Sequence, residues 1–582
     1  MSAPHNAHHG GDRVAATLQA HGVRFIFTLC GGHISPILVA AKARGIRIVD
    51  VRDEATAVFA ADAIARITGT PGVAAVTAGP GLTNTITAVK NAQLAQSPVV
   101  LLAGAAPTAL QGRGALQDID QKSLMLPHVK SMRQVRRVVD LCPAMEEALR
   151  ACREGVPGPV VVECPVDLLY DEKLIRGWYA DAAGKGNAMG DRLLRWYLNR
   201  HAERLFAGSG EPFVLHDVTE EQVSSQRAAV ARAAEALARA ERPLMVLGSQ
   251  VVVRAREADS IAQAVERIGV PAYLSGMARG LLGREHRLQM RHERRKALRE
   301  SDCVILAGVP CDFRLDYGKH VRRSATLVAA NRSPHDARLN RKPTIEALGD
   351  AGRFLAELAA AVQERARRPD WIAALAARDS EREAQIDAQA TTRGEHVNPV
   401  AFFRALEKAA GENAVFIADG GDFVATSAYI LHPRGPLAWL DPGAFGTLGV
   451  GAGFSLGAAL ARPERPVWLV WGDGACGYGL SELDTFVRHG IPVIAVVGND
   501  AGWTQIAREQ VKMLGDPVGT VLARTAYHEV ARGFGAEGVE IRDDAGVEAG
   551  LAEARRIAAG GRPVLVNVWL DKTEFREGSI SM

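Results

Sequence analysis

Short apolar runs alternate with longer helix-like stretches from the start of the chain. The first four apolar runs, rich in β-branched residues, are 25–29, 46–51, 73–79 and 99–105. The helix-like stretches between them are 34–43, 54–68 and 82–95. Apolar strands separated by helices of this length are typical of βαβ units, in which helices cover both faces of a parallel sheet. The pattern therefore predicts an α/β domain at the start of the chain.

The same alternation returns in a second block near residue 242 and a third near residue 397. The apolar runs of these blocks are 242–252, 269–276, 303–309 and 325–331, then 414–420, 466–473, 492–500 and 563–570. An amphipathic segment, 192–206, and a charged one, 364–392, predict helices between the blocks. We therefore predict an α/β fold with three doubly wound parallel-sheet domains. The predicted parts are an N-terminal domain 1–184, a linker with an amphipathic helix 185–217, a middle domain 218–375 and a C-terminal domain 376–582.

The amino-acid composition and net charge argue against some classes of binding partner. The 582 residues are 47% hydrophobic and 23% charged, as in ordinary globular proteins, and the net charge of +3 is too small to indicate nucleic acid or an anionic membrane surface. The seven cysteines include no CxxC pair, which favours reduced thiols over disulfides or a zinc site. We find no signal-peptide pattern and no apolar run of the roughly 18–20 residues that a membrane span needs. We therefore expect a soluble cytoplasmic protein that acts on small molecules.

Two acidic residues follow predicted strands of the third block. Asp473 lies in a Gly-Asp-Gly turn after one strand, and Asp500 follows Asn499 at the end of the next. In a right-handed βαβ unit both strand ends lie at the same edge of the sheet, so the two carboxylates can converge. Two oxygen ligands beside glycines suit Mg²⁺ bound to a phosphate group. A polar turn is the alternative for either residue alone, but the spaced pair favours the metal site.

This spacing resembles the fingerprint of the thiamin diphosphate-dependent enzymes. The resemblance implies that Asp473, Asp500 and the backbone carbonyl of Gly502 hold Mg²⁺ on the cofactor diphosphate. The family has Asn where this chain has Asp500, and we expect the extra charge to make the divalent cation more strictly required. The resemblance also implies cofactor contacts from two further segments and from the Gly-Asp-Gly turn itself. These residues are Gly420, Gly421, Asp422, Phe423, Leu448, Gly472, Gly474, Ala475 and Cys476.

The first block carries the residues that match the other half of the family's site. Glu54 opens a predicted helix, where an acid is ordinarily a favourable partner of the helix dipole. The resemblance implies instead that Glu54 hydrogen-bonds the cofactor aminopyrimidine, and that the glycines of the Gly-Pro-Gly turn at 79–81 let the following helix approach the cofactor pocket. By the same resemblance His33 and Gln117 lie near the substrate, although a loop His or Gln is often structural. Either residue, or the cofactor itself, could take the proton from a substrate hydroxyl.

The resemblance extends over nearly the whole chain, and segments 434–458, 484–511 and 575–582 place it among acetolactate synthase-like members. It implies a 2-hydroxyacyl-CoA lyase, which cleaves its substrate to formyl-CoA and an aldehyde or ketone and catalyses the reverse acyloin condensation. The alternatives are an acetolactate synthase-type carboligase acting on pyruvate and a non-catalytic thiamin diphosphate-binding regulatory scaffold.

Three further expectations depend on this resemblance. The middle domain binds ADP or CoA, with FAD as the alternative for a carboligase, and the candidate contacts are Arg279, Arg314, Asn331 and Arg332. The two halves of the site come from different subunits, which implies at least a homodimer and favours a homotetramer. The C-terminal tail, 573–582, is expected to cover the substrate entrance.

Overall fold

The computed structural model describes residues 9–184, 186, 188–210, 213–216, 226–362 and 368–576. They contain three six-stranded sheets in which every strand pair is parallel. The described residues form two compact units, one with the first sheet and the other with the second and third. The predicted α/β fold with three parallel sheets is thus confirmed, while the domain boundaries stay predictions.

The first sheet has the strand order β2-β1-β3-β4-β6-β5. Its strands are β1 (Phe25–Thr28), β2 (Arg47–Asp50), β3 (Gly72–Val76), β4 (Val99–Ala105), β5 (Ser131–Gln134) and β6 (Val160–Pro165). Its helices are α1 (Gly10–Ala20), α2 (Ser35–Ala43), α3 (Glu54–Thr68), α4 (Pro80–Thr83), α5 (Ile86–Leu94), α6 (Gln121–Met125), α7 (Leu141–Ala151), α8 (Glu172–Ala183) and α9 (Met189–Phe206). Strands β3 and β4 are buried along their whole length, as the apolar runs predicted.

The second sheet has the order β12-β11-β10-β7-β8-β9. Its strands are β7 (Pro243–Leu247), β8 (Ala272–Leu274), β9 (Gln289–Met290), β10 (Cys303–Ala307), β11 (Thr326–Asn331) and β12 (Ile345–Leu348). The helices of this part are α10 (Arg227–Arg239), α11 (Ala258–Ile268), α12 (Arg294–Glu300), α13 (Pro334–Arg338), α14 (Ala351–Ala361) and α15 (Pro369–Ala390). Helix α15 lies within the charged segment and buries only Trp371, Leu375 and Ile386, so the predicted surface helix is present.

The third sheet has the order β14-β13-β15-β16-β18-β17. Its strands are β13 (Val415–Ala418), β14 (Trp439–Leu440), β15 (Val467–Gly472), β16 (Ile494–Asn499), β17 (Glu537–Ile541) and β18 (Val564–Trp569). Its helices are α16 (Pro399–Ala409), α17 (Asp422–Ile430), α18 (Val450–Ala461), α19 (Asp473–Cys476), α20 (Glu482–His489), α21 (Thr504–Leu514), α22 (Tyr527–Gly533) and α23 (Val547–Ala559). The small-residue helix α18 is almost wholly buried. None of the described helices is both long and apolar enough to cross a membrane.

Candidate active site

Four loops at the carboxyl edge of the first sheet carry the candidate residues of the first unit. Strands β2, β1, β3 and β4 are neighbours, and the chain that leaves them carries Glu54, His33, the turn at 79–81 and Gln117, respectively. Parallel strands bring these loops to one edge, where α/β sheets bind their ligands. The structure thus places all three catalytic candidates of this half along one sheet edge.

Glu54 is the first residue of α3 and only 7% exposed. Its Oε2 accepts a hydrogen bond of 3.0 Å from Nδ2 of Asn84, which follows the Gly-Pro-Gly turn. A Cβ atom placed on Gly81 would lie 3.6 Å from Oε1, so this second oxygen faces the turn. Asn84 therefore holds one oxygen of the Glu54 carboxyl group, and the other oxygen faces the glycines of the turn. The sequence interpretation missed Asn84, because nothing along the chain distinguishes a bonded amide from a solvated one.

His33 lies between β1 and α2 with its imidazole half-buried. Its Nδ1 is 3.0 Å from Oγ1 of Thr77, the residue that follows β3. Strand β3 lies beside β1 in the sheet. Burial lowers the pKa of His33 below its usual value of 6.5 because the imidazolium loses hydration. A Cβ atom on Gly104 would lie 2.5 Å from the His33 Cβ, so the glycine leaves room for this side chain. The neutral imidazole is the form that can accept a proton.

Gln117 lies in the loop after β4 and has a left-handed backbone, with φ +62°. Its carbonyl oxygen would be 2.6 Å from a Cβ on Gly79, which has φ +59°. Only glycine at 79 permits this approach without displacing the loop. A cavity of about 320 Å³ lies beside Gln117 and has a mainly polar lining.

In the second unit, β15 and β16 end side by side. Gly472 is in register with Gly498, so Asp473 and Asp500 leave the sheet at the same edge, as the spacing predicted. Oδ2 of Asp473 accepts the Gly502 N–H at 3.0 Å, which brings the loop after β16 against the Gly-Asp-Gly turn. Burial and the nearby Asp500 carboxylate raise the pKa of Asp473 to about 7, and burial raises that of Asp500. Two acids that leave neighbouring strand ends with raised pKa values favour a positive charge beside them.

The donor set at this edge fits Mg²⁺ with a diphosphate. Among the described residues, no group of three or more His, Cys, Asp and Glu side chains is placed to hold a metal ion. Mg²⁺ on a phosphate ligand needs only one or two carboxylates, because phosphate oxygens and water complete its octahedron. Asp473, Asp500 and the Gly502 carbonyl therefore match the chemistry of such an ion. A Cβ on Gly474 would lie 2.6 Å from the Trp503 ring, so the turn must be glycine there.

The segment from Gly420 to Phe423 forms the start of α17. Gly421 is the N-cap with φ +108°, and the first amides of the helix are suited to an anion. Asp422 turns its Oδ2 to Arg508, at 2.6 Å, and its Oδ1 is buried without a hydrogen bond. Phe423 packs its ring 4.3 Å from that of Phe403. Only the backbone of this segment is therefore available to the diphosphate.

Leu448 and the residues after the Gly-Asp-Gly turn complete the candidate cofactor contacts. Cδ2 of Leu448 lies 2.1 Å from the point that a Cβ on Gly420 would occupy, so these two residues meet at the start of α17. Ala475 and Cys476 are buried within α19. Burial raises the pKa of the Cys476 thiol to about 12, so the thiol stays protonated at neutral pH and packs within α19. A Cβ on Gly498 would lie 2.4 Å from Cδ1 of Phe423.

Asp419, which sequence reasoning also missed, holds the turn before α18. It is 3% exposed, and its carboxylate accepts the N–H groups of Gly449 at 2.9 Å and Gly451 at 2.7 Å and the Trp471 indole N–H at 3.1 Å. Burial nevertheless raises its pKa to about 6. Leu448 immediately precedes the turn that Asp419 fixes. The available signal was an acid ending an apolar strand, the same signal that identified Asp473.

The four candidates of the middle sheet already have partners within the protein. Arg279 donates to the Ala428 carbonyl at 2.9 Å, and Arg314 pairs with Asp312 at 2.6 Å. Arg332 pairs with the buried Asp350 at 2.6 Å. Oδ1 of Asn331 accepts from Gln250 at 2.8 Å, whereas its buried Nδ2 has no hydrogen bond. The structure thus joins Asn331 and Arg332 in one polar network and places Arg279 and Arg314 elsewhere, and a role in nucleotide binding stays a prediction.

Residues 573–576 of the predicted tail belong to the described part of the chain. Phe575 packs edge-on against Tyr429 with ring centroids 6.0 Å apart, and the Arg576 guanidinium lies 5.0 Å from the Tyr429 centroid. Residues 577–582 lie outside the described residues. A covering role for the tail stays a prediction.

Three parallel sheets, a buried acid at the edge of the first and a pair of acids at the edge of the third form the arrangement expected of a thiamin diphosphate-dependent enzyme. Comparison with known families agrees, and the chain belongs to the thiamine pyrophosphate enzymes. It matches the N-terminal TPP binding domain over residues 8–124, the central domain over 230–358 and the C-terminal TPP binding domain over 419–568.

Three individual proteins are similar to this chain over nearly its whole length. The chain is 50% identical to 2-hydroxyacyl-CoA lyase 2 of Homo sapiens over 582 aligned residues, which cover 99% of this chain and 92% of the human protein. Identity to 2-hydroxyacyl-CoA lyase 2 of Mus musculus is 51% with the same coverage. A probable acetolactate synthase of Mycobacterium bovis is 33% identical over 98% of this chain and 97% of its own length.

Proposed function

We propose that this protein is a thiamin diphosphate-dependent 2-hydroxyacyl-CoA lyase. It cleaves a 2-hydroxyacyl-CoA to formyl-CoA and an aldehyde or ketone, and it catalyses the reverse acyloin condensation. The observation that carries this proposal is the 50% identity to 2-hydroxyacyl-CoA lyase 2 over nearly the full length of both chains. The presence of Glu54 and Asp473 in suitable surroundings supports an active enzyme over the alternative of a regulatory scaffold.

Thiamin diphosphate, when bound, supplies a ring that stabilises the carbanion left by carbon–carbon cleavage. In this proposal Glu54 bonds the aminopyrimidine through the oxygen that Asn84 leaves free. Asp473, Asp500 and the Gly502 carbonyl hold Mg²⁺, and the amides at the start of α17 bind the diphosphate. Neutral His33 accepts the proton of the substrate hydroxyl, and the amide of Gln117 orients the carbonyl partner.

The assembly and location follow from the same proposal. The enzyme acts as a homodimer or homotetramer in the cytoplasm, and each site takes Glu54 from one subunit and Asp473 from another. ADP or the CoA moiety is bound by the middle domain, where Asn331 and Arg332 belong to one polar network with Gln250. The Tyr429–Phe575 contact anchors a tail that covers the substrate entrance.

An acetolactate synthase-type carboligase is the second candidate, and the 33% identity to a probable acetolactate synthase favours it over other members of the family. Turnover of 2-hydroxyacyl-CoA measured beside turnover of pyruvate separates the two functions. Formyl-CoA release without acetolactate formation supports the lyase, and acetolactate formation alone rejects it.

Replacement of Glu54 tests the catalytic role. Glu54→Gln keeps the size of the side chain but removes the acid, so turnover should fall by at least about 100-fold while thiamin diphosphate still binds. The matched control is Asp53→Asn, which removes an exposed neighbouring charge and keeps the oxygen that caps Ala55. Calorimetry with thiamin diphosphate and Mg²⁺ measures binding separately from turnover. Wild-type turnover by Glu54→Gln would exclude this mechanism.

A further inference from the structure

Gln121 is a buried amide in the first unit, four residues after Gln117. It begins α6, is 3% exposed and lines the same cavity of about 320 Å³ as Gln117. Buried amides must satisfy both their donors and their acceptor within the protein. The partners of Gln121 therefore show which parts of the fold it joins.

The Gln121 amide bonds to three separate segments. Its Oε1 accepts the N–H of Gly79 at 3.0 Å, in the turn after β3. Its Nε2 donates to the Gly104 carbonyl in β4 at 3.1 Å and to Oε2 of Glu163 in β6 at 2.9 Å. Because an N–H faces the oxygen while a carbonyl and a carboxylate face the nitrogen, only one orientation of the amide satisfies all three partners.

Glu163 anchors this arrangement from the sheet. It is 4% exposed, and its second oxygen accepts from Nε2 of Gln134 in β5 at 3.0 Å. Both oxygens of a buried carboxylate are thus held by amides, which keeps the group that receives Gln121 in one position. Of Gln121 and Glu163, it is Gln121 that bonds to the turn at Gly79.

The loop with Gln117 meets the same glycine that Gln121 binds. The carbonyl oxygen of Gln117 would be 2.6 Å, and its Cβ 3.0 Å, from a Cβ on Gly79. A left-handed backbone at a non-glycine residue costs free energy and persists where the surroundings impose it. The N–H of Gly79 donates to Oε1 of Gln121, and the α-carbon of Gly79 packs against Gln117. The Gln121 amide therefore connects the Gly-Pro-Gly turn to the loop that carries Gln117.

We propose that Gln121 is a positioning residue for the reaction. Its amide, clamped between Gly79, Gly104 and Glu163, holds the Gly-Pro-Gly turn and the Gln117 loop together and so fixes where the Gln117 side chain meets the substrate. The inference rests on the proposed function for the role of Gln117, whereas the clamp itself is independent of the substrate.

The first test is Gln121→Glu, compared with the matched control Gln134→Glu. Each change sets a new carboxylate against Glu163 and removes an amide donor, but only the first touches the bonds to Gly104 and Gly79. Misplacement of a substrate-orienting group by a fraction of an ångström is expected to lower kcat/KM by about 10- to 100-fold in Gln121→Glu. The loss in Gln134→Glu should be smaller, because Gln134→Glu disturbs Glu163 but leaves the Gln121 bonds to Gly104 and Gly79 in place. Adding Glu163→Gln to Gln121→Glu restores one amide–carboxylate pair and should recover part of the activity.

A double-mutant cycle separates positioning from general loosening. If Gln121 acts through Gln117, Gln121→Glu lowers kcat/KM in the wild-type background but adds little in a Gln117→Ala background. The change in Tm should be the same in both backgrounds. Additive losses in kcat/KM would overturn the proposal, as would equal losses in Gln121→Glu and Gln134→Glu.

Hydrogen exchange keeps the clamp testable without turnover. With thiamin diphosphate and Mg²⁺ present, amides of residues 106–120 should exchange faster in Gln121→Glu than in wild type, while those of α5 should not change. Unchanged exchange in 106–120 overturns the clamp even if the lyase assignment holds, and faster exchange supports it even if the lyase assignment fails. Should Gln121→Glu not fold, Gln121→Met keeps the volume without the added charge and carries the same measurements.

Discussion

At the scale of single residues, His33 is poised to stay neutral over the range in which an ordinary histidine gains its proton. The lowered pKa means that the folded protein binds this proton only below the usual value of 6.5. If neutral His33 accepts the proton of the substrate hydroxyl, the acidic limb of kcat/KM lies below pH 6.5 and is lost in His33→Asn. A pH profile from 5 to 8 measures this. An acidic limb above pH 6.5, or one that survives the substitution, would contradict the role.

Residues that end strands could be predicted, and residues that hold them could not. Glu54, Asp473 and Asp500 each interrupt an apolar pattern at a strand or helix end, where the topology decides their neighbours. Asn84 and Gln121 act through bonds to residues 30 and 42 positions away, and such bonds form only when loops from different strands converge. No local pattern marks a polar side chain of this kind. The expected stricter need for a divalent cation, from Asp500, stays a prediction.

At the scale of elements, the apolar runs identified interior strands and missed most edge strands. Strands β5, β9, β12, β14 and β17 lie at sheet edges, and none was predicted. Some of these edge strands alternate buried and exposed positions, as β5 does. Others have only two residues, as β9 does. An interior strand is covered on both faces and reads as a continuous apolar run, whereas an edge strand does not. Helix α3 was predicted with its observed bounds because its start and its apolar face are both distinct.

The turn between β14 and α18 depends on one carboxylate at the end of β13. Asp419→Ala removes the acceptor for three buried N–H groups, and each unsatisfied group costs about 1–3 kcal/mol. We expect a loss of at least about 2 kcal/mol in the free energy of unfolding, measured by denaturant titration. Asp419→Asn keeps one acceptor oxygen and should lose less. Equal stability of Asp419→Ala and wild type would show that the turn does not need this residue.

At the scale of the whole molecule, mixing of two inactive variants tests whether each site is shared between subunits. Glu54→Gln and Asp473→Asn should each be inactive alone. After subunit exchange, a random mixture contains sites that combine an intact Glu54 from one chain with an intact Asp473 from the other, and activity should rise to about a quarter of wild type. If each chain supplied both residues to its own site, the mixture would stay inactive. Turnover before and after exchange measures the difference.

The close fit of Phe423 against Gly498 makes these two positions a single unit for protein engineering. Any side chain at 498 would push the Phe423 ring aside and move the start of α17 with it, so libraries that vary residue 498 alone will return mostly glycine. Room for a larger residue exists only if position 423 becomes smaller in the same clone and the Leu570 side chain, whose Cδ1 would lie 2.8 Å from the new Cβ, also moves. A larger residue at 498 is therefore reached only by combined changes, and a search one substitution at a time will miss it.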